Sequence, residues 1–123
     1  MSTRTTYAID HVQLAMPAGL EAKAREFYIG ILGMTEIAKP PVLAKRGGAW
    51  FAVGDVQIHL GVEEDFRAAK KAHVALRSIS SDALKEKLSA AGLPVKDDDT
   101  IPGTKRFYTE DCFGNRLEFI CQD

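Results

Sequence analysis

The pattern of apolar and polar residues in the first half of the chain resembles the pattern in the second half. Within residues 9–16, Val12, Leu14 and Met16 alternate with His11, Gln13 and Ala15, a period of two that is typical of a strand with one buried face. His11 lies on the opposite, mixed face of this strand. From Leu20 the apolar residues recur at the 3.6-residue period of a helix, and Gly33 stands where a C-cap glycine belongs. Further strands are predicted at 35–38, 42–44, 49–53 and 56–62.

The same order begins again after a charged segment at residues 63–71. A strand is predicted at 73–78, then a helix that Ser80 or Ser81 can cap and that ends at Gly92. Short strands around 94–96 and 104–109, a turn at 113–115 and a strand at 116–121 complete the pattern. Gly33 precedes His59 by 26 residues, and Gly92 precedes Glu118 by the same 26. The chain is therefore predicted to be an α+β protein made of two copies of strand, helix and three strands.

Composition narrows the class of protein without identifying it. The 123 residues are 46% hydrophobic and 27% charged, with a net charge of −1, which predicts one globular domain over residues 1–123. The basic residues of the charged segment are offset by acidic neighbours, so neither nucleic acid nor a membrane is an expected partner. Cys112 and Cys121 form no paired metal motif, and no apolar leader or membrane span is recognisable. A cytoplasmic location is expected.

The candidate chemistry lies at equivalent positions of the two copies. The three histidines of the chain are His11, His59 and His73, and the fourth equivalent position is Glu118. All four alternate with apolar residues, so they would point away from the apolar face and converge if the copies formed one curved sheet. One histidine on a strand is more often an ordinary polar residue, but imidazole and carboxylate together suit Fe, Mn, Ni, Co or Zn. His11, His73 and Glu118 are the predicted metal ligands, with His59 as a fourth ligand or a base.

Four segments resemble the vicinal oxygen chelate superfamily, which includes glyoxalase I, extradiol dioxygenases and the bleomycin and fosfomycin resistance proteins. They are IDHVQL at 9–14, REFYIGILGM at 25–34, AHVAL at 72–76 and DCFGNRLEF at 111–119. The last is similar to the pattern D-P-x-G-N-x-[IL]-E, with Cys112 in place of the proline. The resemblance covers about residues 8–120.

The resemblance implies paired βαβββ modules, here about 8–62 and 72–121, that form an eight-stranded cup, usually in a homodimer. It implies that His11, His73 and Glu118 are ligands of a divalent metal ion. His59 matches a position that is a ligand in only some members. In some dimeric members each site takes ligands from two chains, so that His11 and His59 of one chain would meet His73 and Glu118 of the other.

Departures from individual members limit what the resemblance implies about the reaction. Ala15 and Glu63 replace the arginine and asparagine that bind glutathione in glyoxalase I, and the chain ends five residues after Glu118, which disfavours a fosfomycin-resistance enzyme. Tyr108 stands ten residues before Glu118, as a tyrosine does in extradiol dioxygenases.

Two classes of function follow. The first is a metal-dependent enzyme acting on a small oxygen-chelating substrate, either a lyase or isomerase or a ring-cleaving dioxygenase, with Glu118, His59 and Tyr108 in catalysis. The second is a non-catalytic protein that sequesters an antibiotic or another small molecule, in a cup lined by Trp50, Phe51, Phe107 and Tyr108.

Overall fold

Eight strands and three helices occur in residues 6–123, the part of the chain that the computed structural model describes. In chain order they are β1 (Val12–Met16), α1 (Glu21–Tyr28), β2 (Thr35–Ile37), α2 (Pro41–Ala44), β3 (Ala49–Val53), β4 (Val56–Val62), β5 (Val74–Ser78), α3 (Ser81–Ala90), β6 (Lys96–Asp98), β7 (Arg106–Glu110) and β8 (Arg116–Cys121). None of the described helices is long and apolar enough to cross a membrane.

The strands form two four-stranded sheets of the same design. Their orders are β1-β4-β3-β2 and β5-β8-β7-β6. In each sheet the first strand runs parallel to the last, and the remaining neighbours are antiparallel. This parallel pairing requires a crossover, which α1 supplies in the first module and α3 in the second. The predicted α+β fold of two βαβββ modules is confirmed.

One predicted strand is wrong. Residues 42–44 lie in the short helix α2 and not in a strand. Pro41 is at the first turn of this helix, where its fixed φ angle suits a helix and its missing N–H leaves no intrahelical bond unmade. In a strand the same residue would have removed a hydrogen bond from the ladder.

The apolar face of each sheet packs with residues of α1 and α3 in one continuous core. This core includes Met16, Ala24, Phe27, Tyr28, Phe51, Ile58, Leu60, Leu88, Phe107, Leu117 and Phe119. Phe51 and Phe107 are fully buried in it, so they do not line the cup as the binding-protein interpretation expected. Trp50 and Tyr108, their neighbours in sequence, lie on the opposite faces of the sheets.

The turn at residues 111–115 fastens the second module to the first. Tyr28 of α1 donates a hydrogen bond to the carboxylate of Asp111 across 2.6 Å. The Asn115 side chain donates to the backbone oxygen of Ala15 in β1 and accepts from the backbone N–H of Ala69. Since β8 begins at Arg116, this turn also fixes where the strand carrying Glu118 starts.

Candidate metal and substrate site

Strand register places the predicted site residues on one face of each sheet, away from the core. In the first sheet His59 lies opposite Trp50, and in the second Glu118 lies opposite Tyr108. The flanking residues of β4 and β8 are apolar and mostly buried, which turns His59 and Glu118 to the other face. The predicted equivalence of these two positions is therefore a property of the fold as well as of the sequence.

The carboxylate of Glu118 contacts two side chains, the imidazole of His73 and the guanidinium of Arg106. Its Oε1 lies 2.8 Å from Nε2 of His73, and its Oε2 accepts a hydrogen bond of 3.1 Å from Arg106. Burial alone would raise the pKa of Glu118, but the hydrogen bonds from His73 and Arg106 lower it below its ordinary value. Glu118 is therefore a carboxylate at neutral pH although its side chain is only 8% exposed. The other ring nitrogen of His73 bonds to the backbone oxygen of Lys71.

The histidines of the first module lie in an aromatic stack. The ring of His59 is sandwiched between Trp50, at 3.9 Å between centroids, and His11, at 4.0 Å. Its Nε2 lies 3.0 Å from the Gln57 side-chain oxygen. Burial and the neighbouring His11 lower the pKa of His59, so its imidazole is neutral at pH 7.

The His73–Glu118 pair fits a divalent metal ion. Two ligand atoms about 2.1 Å from one ion, and at right angles to each other, lie about 3 Å apart. The 2.8 Å between His73 Nε2 and Glu118 Oε1 is close to this separation. A nitrogen and a carboxylate oxygen also suit the predicted metals.

His11 and His59 do not fit as a second pair in their present orientation. Their ring planes are only 11° apart and lie face to face. An imidazole binds a metal in the plane of its ring, so two stacked rings cannot both direct a nitrogen at the same nearby ion. His11 is the freer of the two, since its side chain is 38% exposed.

The four predicted ligands do not converge within one chain. The structure brings together His11 with His59 and, separately, His73 with Glu118. No group of three His, Cys, Asp or Glu residues that could hold a metal ion occurs among residues 6–123. Convergence was expected only if the two copies formed one curved sheet; the modules instead form separate sheets, each with its own pair.

A cavity of about 370 Å³ lies beside His73. It is lined by β1 and β5, the outer strands of the two sheets, and by the segment that joins the modules; Gln13, Ala15, Arg67, His73 and Asn115 are among its residues. The cavity reaches His73, whereas Glu118 and Tyr108 are not among its lining residues.

Tyr108 lies among charged groups that sequence reasoning did not single out. Its ring is 5.6 Å from that of His73, in an edge-to-face arrangement. The guanidinium of Arg116 is 4.0 Å from the ring centroid and that of Arg106 is 5.4 Å away. Both arginines could have been found from alternation alone, because each stands two residues before a predicted site residue on the same strand.

The chain belongs to the Glyoxalase/Bleomycin resistance protein/Dioxygenase superfamily, whose sequence profile it matches over residues 8–119. It is similar to a crystal structure of a protein from Bacillus anthracis assigned to the glyoxalase family. The two are 46% identical, with a TM-score of 0.89 over 99% of this chain and all of that one. No curated protein sequence matches the chain.

More distant structures share the fold. The fosfomycin resistance protein FosX from Listeria monocytogenes is 17% identical, with a TM-score of 0.76 over 97% of this chain and 96% of its own. A mutant of that FosX has been crystallised with Mn(II) and 1S,2S-dihydroxypropylphosphonic acid. Lactoylglutathione lyase from Agrobacterium tumefaciens is 20% identical, with a TM-score of 0.68 over 97% and 96% of the two chains.

Proposed function

We propose that the protein is a metal-dependent enzyme that acts on a small substrate with two neighbouring oxygens. The observation that carries this proposal is the contact between His73 and Glu118, a nitrogen and a charged carboxylate oxygen at the spacing of two ligands. A divalent ion held there would polarise the substrate oxygens and stabilise negative charge that develops on them. The Mn(II) found with a FosX mutant is consistent with such a site in the same fold.

The metal site is proposed to be completed by a second copy of the chain. His73 and Glu118 supply two ligands, and no further residue of the described chain joins them in a group of three. Sites that catalyse with a metal ordinarily hold it with three protein ligands. In a homodimer His11 of the partner, the more exposed of the stacked histidines, would be the third ligand.

His59 is proposed as the base that moves a proton. Its Nε2 lies 3.0 Å from the side-chain oxygen of Gln57, and in the tautomer that donates to this oxygen Nδ1 has a free lone pair. The lowered pKa keeps the ring neutral and able to accept a proton at pH 7. Tyr108 lies beside His73 on the face of Glu118, and the proposal gives it a role in positioning the substrate. Lyase, isomerase and dioxygenase chemistry all remain compatible with these groups.

Metal analysis of the purified protein tests the proposal. Protein reconstituted separately with Mn(II), Fe(II), Ni(II), Co(II) and Zn(II) and then desalted is expected to retain about one equivalent per chain of at least one metal. His73→Ala and Glu118→Gln should each lower retention about 10-fold or more, whereas Glu86→Gln, a matched change on the exposed face of α3, should not.

Wild-type protein that binds none of these metals would contradict the enzyme proposal. It would favour the sequestering protein instead, for which the flat stack of Trp50, His59 and His11 offers a surface for an aromatic ligand. If metal is bound, oxygen uptake with catechols would favour a dioxygenase, and turnover of a hemithioacetal would favour a lyase.

A further inference from the structure

The two faces that carry the site residues differ in charge. On the first sheet, the strand residues that share the face of His59 include no Asp, Glu, Lys or Arg. On the second sheet, the equivalent face carries four basic residues, Arg77, Lys96, Arg106 and Arg116, and three carboxylates. A divalent ion bound at Glu118 would add two positive charges to this face. An anionic substrate would balance them.

Arg106 is already occupied by carboxylates of the chain. It forms ion pairs with Glu118, at 3.1 Å, and with Asp98, at 3.4 Å. Its side chain is only 16% exposed. Arg106 is therefore a positioning residue, which holds Oε2 of Glu118 and leaves Oε1 facing His73.

Arg116 differs from Arg106 in making no ion pair within the described residues, although Glu110 lies opposite it in the strand register. Its guanidinium lies over the Tyr108 ring, 4.0 Å from the centroid. No ion pair or side-chain hydrogen bond of Arg116 occurs within residues 6–123. Stacking on an aromatic ring lowers the entropy that the guanidinium loses when it binds a ligand, and its N–H donors stay free to bind.

The register places Arg116 next to the predicted ligands. β5 and β8 pair with Val74 beside Leu117, so the preceding residues, His73 and Arg116, are neighbours. Arg116 precedes Glu118 by two residues on the same face, a distance of about 7 Å along a strand. A molecule of three or four carbons that binds at Glu118 through two oxygens can reach Arg116 with a group at its other end.

We propose that Arg116 binds the carboxylate or phosphonate of a small acidic substrate, which lies between this guanidinium and the His73–Glu118 pair. The proposal rests on the proposed function, because it names the substrate class of the same site. The guanidinium of Arg116 is planar, and its free N–H groups can donate two parallel hydrogen bonds to the two oxygens of such an acid group.

Binding of two matched compounds to manganese-loaded protein tests the proposal. Glycerate and glycerol have the same three-carbon skeleton and neighbouring hydroxyls, and only glycerate carries an acid group. Calorimetry is expected to show glycerate binding about 10-fold or more tightly than glycerol. Arg116→Gln should remove this difference, Arg116→Lys should restore part of it, and the exposed Arg46→Gln should retain it. Manganese content is measured for every variant and should not change.

Equal affinities for the two compounds, or an unchanged preference for glycerate in Arg116→Gln, would overturn the proposal. If the protein binds no metal, the proposed function is contradicted, but the proposal for Arg116 is still testable. Inorganic phosphate is then added to the metal-free protein. Phosphate should then shift the NMR signal of the Arg116 side chain and leave that of Arg46 unchanged. No shift for Arg116 would reject the anion site.

Discussion

Asp111 belongs to the sequence motif at residues 111–119, but it stabilises the fold through hydrogen bonds and has no role in the proposed reaction. Its carboxylate is 1% exposed and accepts four hydrogen bonds. Two come from the backbone N–H groups of Phe113 and Asn115, one from the Asn115 side chain and one from Tyr28. The motif was predicted as a turn before the ligand strand. Its contact with α1 in the other module has no local signal, because Tyr28 is 83 residues away in sequence.

Removal of the Tyr28 hydroxyl should therefore destabilise the fold. Tyr28→Phe is expected to lower the free energy of unfolding by about 2 kcal/mol, since a buried carboxylate loses a hydrogen-bond donor. Urea unfolding of metal-free protein measures the change. Tyr7→Phe is the matched control, because Tyr7 is 85% exposed, and it should change stability by less than about 0.5 kcal/mol. Equal effects of the two substitutions would show that the bond to Asp111 contributes nothing.

The thiol of Cys112 should be nearly inert in the folded protein. Burial and the neighbouring carboxylate of Asp111 raise its pKa to about 12 from 9.0. Only the thiolate reacts, so at pH 8 its alkylation should be about 1,000-fold slower than that of an unfolded cysteine, and should accelerate as pH rises toward 12. Iodoacetamide labelling of Cys121→Ser, which leaves Cys112 alone, measures this rate in native protein and in urea. A native rate within about 10-fold of the unfolded rate would contradict the prediction.

The pairing of His73 with Glu118 agrees with the sequence prediction that these residues belong together, but the stacking of His11 on His59 was not predicted. Alternation along a strand predicts the face on which a side chain lies. It does not predict the side-chain rotamer, which depends on neighbours such as Trp50 on another strand. The role of all four residues as ligands stays a prediction.

At the scale of elements, sequence patterns located the long strands best. The last strand was predicted at residues 116–121, as observed. Gly92 directly follows the C-cap of α3 and has the positive φ of a C-cap glycine, +78°, whereas α1 ends at Tyr28, before Gly33, whose φ is also positive at +73°. The start of α3 was less predictable. Ser80 makes no capping bond, and Ser81 instead binds the side chain of Asp123, 42 residues away.

The turn before β3 should tolerate no side chain at Gly48. Its φ is +85°, and a Cβ there would lie 2.1 Å from the backbone oxygen of Leu60 in β4. Gly48→Ala is therefore expected to destabilise the protein by at least about 1 kcal/mol more than Gly54→Ala. Gly54, in the turn between β3 and β4, also has a positive φ, but no atom lies within 4 Å of a Cβ there. Urea unfolding of the two variants makes the comparison, and equal losses would refute the steric explanation.

At the scale of the whole molecule, we propose that residues 1–123 form one domain and that the two modules unfold together. One hydrophobic core includes residues of both, and the turn at residues 111–115 binds both α1 and β1. Fluorescence of Trp50, the single tryptophan, and far-ultraviolet circular dichroism should give the same urea midpoint. Two separate midpoints would mean that the modules are independent domains.

Mixing two inactive variants tests whether the site is shared between chains. His11→Ala and His73→Ala homodimers should each lose metal. A heterodimer of the two, isolated with two different affinity tags, should regain one complete site, because in the proposed dimer His11 of one chain would meet His73 and Glu118 of the other. A site built within one chain would be broken in both subunits, so a heterodimer that retains no metal would exclude the shared site.

The unlike charges of the two sheet faces have a consequence for stereochemistry. In the proposed dimer, an acidic substrate held between the second sheet of one chain and the first sheet of the other would have its charged end at Arg116 and its remaining surface toward the neutral wall of Trp50 and His59 of the partner subunit. A prochiral molecule bound in this way presents only one of its two faces to the imidazole of His59. The product of the reaction is therefore expected to form as a single enantiomer.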